Sequence, residues 1–231
     1  MGKLMDMIKK GNTSSLIAAL GNTGLAAIKG AASAFSGSGA MFASAMHSVA
    51  DAVNQGFVFA GSVLAERPAT KRYPTGFGRV INLFCMVAVL VVSFMGYETI
   101  REGLHLLAHP GESKSFWLNA AILVVAIVVD GGILLKAMKE IIHETKSEGR
   151  GFGIVGAAFR NVGRAAPPTR LVFYEDIVAT LGAVLALAAV ILTRFTTFHA
   201  FDGVATILIG CLMIGVAFKV DPDPLAIAAI V

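Results

Sequence analysis

His47 and Asp51 stand one helical turn apart inside residues 40–64, a stretch otherwise apolar or small. At i, i+4 on a helix, an imidazole and a carboxylate share one face, with Cβ atoms about 6 Å apart. Such a pair offers one nitrogen and one oxygen donor to a divalent cation. A second acidic pair, Glu175–Asp176, lies in another apolar stretch, and Asp130 interrupts a third. At membrane depth an ionisable group costs roughly 2.5–3.5 kcal/mol on insertion scales, so those retained there mark ion pathways and substrate sites. The chemistry these residues imply is reversible binding of a metal cation in competition with protons, because a metal takes the deprotonated ligands.

Long apolar elements must position them. The 231 residues are 56% hydrophobic and 15% charged, with mean hydropathy +0.75. A soluble domain carries about 25% charged residues, so the composition is that of a membrane protein. Six stretches approach the length of about 20 residues needed to cross a bilayer: residues 14–36, 40–64, 80–107, 116–141, 170–192 and 202–217. The last is short and is expected to extend at either end. The expected fold is an all-α membrane protein of six transmembrane helices, forming one domain over residues 1–231. No cleavable signal peptide is evident, since the first apolar segment is long enough to span. Cys85 and Cys211 are isolated within spans and read as packing residues.

The charge pattern orients these spans. Fourteen Lys and Arg residues fall on the N-terminal segment and on the second and fourth connections, against only Lys114 and Arg194 on the opposite side. By the positive-inside rule both termini and the two basic loops face the cytoplasm. The net charge of +4 is thus a matter of loop topology and calls for no nucleic-acid partner. The turn at residues 36–39 (SGSG) makes the first two spans antiparallel neighbours. The fourth connection is glycine-rich, reads as flexible, and ends at Pro167–Pro168, where the fifth helix can begin.

Helical rise gives depth. Asp51 lies about 17 Å and Asp130 about 21 Å from the outer surface, and Asp176 about 13 Å from the inner one, all near the middle of a hydrocarbon core of about 30 Å. Each residue also has a plainer reading. His47 can be a packing histidine. Glu175 points about 100° from Asp176 and can line the inner vestibule or pair with an arginine such as Arg170. Asp130 can be a ligand, a proton carrier or a partner for Lys29, and the adjacent Gly131–Gly132 can allow close helix approach. Asp202 reads as the N-cap of the sixth helix. His105, His109, His143 and His199 read as solvated residues near span ends or in loops.

These residues together resemble the cation diffusion facilitator family of zinc and divalent-metal/proton antiporters. The resemblance rests on the run from Gly37-Ser38-Gly39 to His47-Ser48-Val49-Ala50-Asp51, and on Tyr73-Pro74-Thr75-Gly76-Phe77-Gly78-Arg79 before the third span. It extends to Asp176 with Thr180 and Gly182 in the fifth span, and to Phe201-Asp202-Gly203 through Gly210 in the sixth. It implies six helices and a transport site drawing two residues from the second helix and two from the fifth. His47 and Asp51 conform. In the fifth helix Asp176 conforms, but Val172 stands where the fourth ligand is usual, leaving Glu175, Asp130 or water to substitute. The family's soluble C-terminal metal-binding domain, through which its members dimerise, is not present in this chain. A homodimer remains what the resemblance implies.

The expected function is export of divalent cations, Zn²⁺ first and Mn²⁺, Fe²⁺, Co²⁺ or Ni²⁺ as other substrates, across the cell inner membrane in exchange for protons. The expected metal residues are His47, Asp51, Asp176, Glu175 and Asp130. A mixed nitrogen–oxygen set suits Zn²⁺ but does not by itself reject the other metals. No enzyme is expected: Ser48, not Glu, follows His47, and no second histidine shares its face, so a zinc-hydrolase motif is missing. The competing reading is a membrane metal-binding sensor or scaffold that transports nothing.

Overall fold

The structure, a computed structural model, describes residues 13–65, 76–77, 80–109, 115–147, 153–165, 167–196 and 200–219. Every described element is helical. In chain order these are α1 (Thr13–Ser36), α2 (Gly39–Ala65), α3 (Val80–Ala108), α4 (Phe116–Glu144), α5 (Gly153–Asn161), a 3₁₀ turn (Val162–Arg164), α6 (Pro167–Phe195) and α7 (Ala200–Lys219). The six expected spans coincide with α1, α2, α3, α4, α6 and α7. Among the described residues, Phe116–Glu144 and Val172–Phe195 are long and apolar enough to cross a membrane, and Ala200–Val216 is a shorter apolar run.

Local chemistry sets the helix ends. Gly37, with φ +71, turns the chain between α1 and α2 in a conformation L side chains rarely adopt. α1 and α2 consequently pack as an antiparallel pair. Pro167 opens α6, where its missing N–H costs nothing. The fourth connection departs from the flexible loop expected of it. Residues 153–161 form α5, because Ala158, Val162 and Ala165 bury against Ala137, Met138 and Ile141 of α4 and Phe173 of α6. Phe159 of α5 stacks edge-on against Phe173 at 5.3 Å.

α2 is central, packing against α1, α3, α6 and α7. The core around it is built of small side chains, including Ala32, Ala40, Ala43, Ala50, Ala186 and Ala205, which let helix backbones approach. Elsewhere the approach is closer still. α3 and α7 run antiparallel, with Gly96 facing Gly210 and Gly103 facing Gly203. A β-carbon at Gly103 would lie 2.8 Å from the carbonyl oxygen of Gly203, and one at Gly210 2.8 Å from that of Gly96. Gly131 and Gly132, expected to serve this purpose on α4, do not: a β-carbon at either meets nothing within 4 Å. The outward faces are apolar, with Trp117, Val125 and Val128 on α4 exposed. A contiguous apolar exterior of this kind suits acyl chains and not water. Cys211 is exposed as well, so it is not the packing residue expected of it.

Candidate metal site

His47, Asp51 and Asn54 fall at i, i+4 and i+7 and so form one stripe of α2. His47 is buried, and its Nε2 lies 3.3 Å from Asp51 Oδ2. Neither ring nitrogen is engaged in a hydrogen bond. Asp51 keeps 20% of its side chain exposed, which gives solvent and a cation access to it. The i, i+4 relation read from the sequence therefore places the two side chains together.

The stripe faces α6 through Asn54. Asn54 Nδ2 donates to Glu175 Oε1 at 2.6 Å and to Oε2 at 2.7 Å. Glu175 is thus held by an amide of α2, and not by Arg170 as the sequence had allowed. Its neighbour Asp176 has a buried Oδ2 with no hydrogen-bond partner, while Thr180 donates to the Asp176 backbone carbonyl at 2.9 Å. Val172, one turn before Asp176, packs against the cluster around Phe173.

Asp130 belongs to a different contact. Its Oδ2 lies 3.9 Å from Lys29 Nζ, and Lys29, only 2% exposed, donates to Ser48 Oγ at 3.0 Å. Of the three roles open to Asp130, partnership with Lys29 is the one the geometry displays. It joins α1, α2 and α4 beside His47. The acids nonetheless sense one another: Asp51 is in electrostatic range of Asp130, and Glu175 and Asp176 are both in range of Asp51. Among the described residues, no three His, Cys, Asp or Glu side chains are close enough together to hold a metal ion. The five expected residues therefore form one polar layer without closing on a single point.

Asp202 caps a helix, but not its own. It lies within the first turn of α7, and its carboxylate accepts from Gly39 N–H at 2.7 Å, Ala40 N–H at 2.9 Å and Ser38 Oγ at 3.2 Å, closing the start of α2. His105, His109 and His143 are exposed, and the first two stack at 5.0 Å. His199 lies outside the described residues, as do the Tyr73–Thr75 part of the motif before α3 and the chain end after Lys219. Asn54 went unnoticed in the sequence, although its i+7 spacing from His47 was a usable signal.

Described elements that are all helical, with apolar side chains outward and ionisable ones in a buried layer, are those of a membrane protein with a polar interior site. The sequence profile of the cation efflux transmembrane domain matches residues 15–220. The chain belongs to the cation efflux family. It is 28% identical over 180 residues to the mitochondrial proton-coupled zinc antiporter of Xenopus laevis, covering 78% of this chain and 31% of that protein. It is 25% identical over 181 residues to metal tolerance protein C4 of Arabidopsis thaliana, covering 77% of this chain and 38% of that one. With magnetosome protein MamM of Paramagnetospirillum magneticum the identity is 29% over 159 residues, covering 61% and 50%. The chain thus spans about a third of the length of the zinc antiporters it matches. Family membership points to cation efflux.

Proposed function

We propose that the chain is the transport domain of a divalent-metal exporter, moving Zn²⁺ foremost out of the cytoplasm in exchange for protons. Mn²⁺, Fe²⁺, Co²⁺ and Ni²⁺ are secondary substrates. In this reading α1, α2, α3, α4, α6 and α7 span the membrane with both termini in the cytoplasm. The membrane is the cell inner membrane, and the working unit is a homodimer. His47 and Asp51 of α2 and Asp176 of α6 are the cation's direct ligands, and they draw together around it as it loads. Glu175 supports them from α6, and Asp130 from its pairing with Lys29.

The observation that carries the reading is the set of unpaired polar atoms in the buried layer. His47 Nδ1 and Asp176 Oδ2 are enclosed without hydrogen bonds, beside an Asp51 carboxylate that keeps 20% of its side chain exposed. A buried polar atom without a partner costs about 1–3 kcal/mol. A lone-pair donor left so is compensated when a cation arrives. Two relatives, named a proton-coupled zinc antiporter and a metal tolerance protein, fit the same reading.

Exchange follows from shared ligands. Metal requires neutral imidazole and ionised carboxylate, so loading from the cytoplasm displaces protons and loading from outside by protons displaces metal. The test is Zn²⁺ uptake into proteoliposomes by the full chain and by Asp51→Ala. Uptake by the wild type that falls at least tenfold in the variant supports the site. A wild type that binds Zn²⁺ but moves none would make it a sensor or scaffold.

A further inference from the structure

The fourth ligand missing from α6 has a candidate on α2. Asn54 is 2% exposed, and its amide is oriented by chemistry rather than by choice. An ionised carboxylate only accepts hydrogen bonds, so beside Glu175 in that state it is Nδ2 that faces it, at 2.6 and 2.7 Å. The carbonyl oxygen is thereby turned away from Glu175, and it is buried with no partner. Three residues beyond Asp51, Asn54 is that residue's neighbour on the same helix face. Asn54 Oδ1 and Asp176 Oδ2 are both unpartnered lone-pair donors of this layer, and a neutral His47 ring adds one further lone-pair nitrogen.

We propose that Asn54 Oδ1 is a direct ligand of the transported cation, held in register by Glu175. This rests on the reading of His47, Asp51 and Asp176 as the transport site. The division of labour is that of metal sites in general, where a carboxylate orients a ligand through the ligand's own N–H. It also assigns the adjacent acids distinct tasks: Asp176 binds metal, and Glu175 positions Asn54. A neutral amide oxygen as the fourth donor gives one nitrogen and three oxygens. That set is harder, and it lowers the preference for Zn²⁺ over Mn²⁺.

The experiment uses the purified full chain in detergent, with Zn²⁺ and Mn²⁺ affinities measured by equilibrium binding and Co²⁺ added as a spectroscopic probe. Asn54→Ala is expected to weaken Zn²⁺ binding at least tenfold and to shift the Co²⁺ ligand-field bands. The double variant Asn54→Asp with Glu175→Gln keeps an oxygen donor and a helix-to-helix hydrogen bond. It is expected to bind Zn²⁺ within threefold of the wild type. A purely structural clamp would leave the Co²⁺ bands of Asn54→Ala unchanged, and that result overturns the proposal. So does Zn²⁺ affinity of Asn54→Ala within twofold of the wild type while Asp51→Ala abolishes binding, an outcome that leaves the transport site itself standing. A wild type and an Asp51→Ala variant that bind equally would instead remove the site on which the proposal rests.

Discussion

Asp202 of α7 holds the N-terminus of α2 through Gly39, whose backbone N–H lies 2.7 Å from one carboxylate oxygen while the other oxygen accepts from Ala40 and Ser38. Two helices distant in sequence are thereby fixed end to end, and the helix so anchored is the one carrying His47 and Asp51. A carboxylate at a helix N-terminus satisfies orphan N–H groups and complements their partial positive charge.

Asp202→Ala should therefore be costly although it touches no metal. Losing a charged acceptor from buried backbone donors is worth about 2–3 kcal/mol. Thermal unfolding in detergent should show a clearly lowered Tm, while any protein that remains folded keeps its Zn²⁺ affinity. An unchanged Tm would show that the cap contributes nothing to α2.

Lys29 and Asp130 should behave as a pair. Lys29→Met leaves the carboxylate of Asp130 buried without its cation, and breaking a buried pair on one side costs about 3–5 kcal/mol. The double variant Lys29→Met with Asp130→Asn removes both charges and should recover most of that loss in Tm. If the double variant is as unstable as the sum of the singles, the two residues are not coupled and Asp130 regains its claim as a metal ligand.

Glycine substitutions separate close approach from open space. Gly103→Ala sets a methyl group against the Gly203 backbone, and overpacking of this kind costs about 1–3 kcal/mol. Gly131→Ala meets nothing within 4 Å and should be neutral or stabilising by roughly 0.5–1 kcal/mol through helix propensity. The order of the two Tm values checks the α3–α7 contact directly.

The parts of this fold legible in the sequence were those fixed by local pattern. Long apolar runs marked six helices to within a few residues, and an ionisable residue in such a run, as at Asp51, announces itself by its cost. His47 followed from a one-turn spacing. What escaped depended on partners far along the chain. Asp202 looks like a cap for its own helix, and only the α2–α7 packing reveals whose backbone it serves. Glu175 carries no mark that an amide rather than an arginine will hold it. The glycines of residues 149–163 suggest a loop, yet enough alanine and valine sit among them to bury a short helix once α4 and α6 offer a surface. Asn54 was passed over because amides are common and neutral, and its importance comes from a carboxylate 121 positions away.

Exchange of metal for protons at the α2–α6 layer is tested most directly by Zn²⁺ flux in proteoliposomes with and without an imposed pH gradient, comparing the wild-type chain with Asp51→Ala. Protons concentrated on the side receiving the metal should drive Zn²⁺ across, collapse of the gradient should slow it severalfold, and Asp51→Ala should abolish both. Flux of equal rate with and without the gradient would contradict the account and describe a channel.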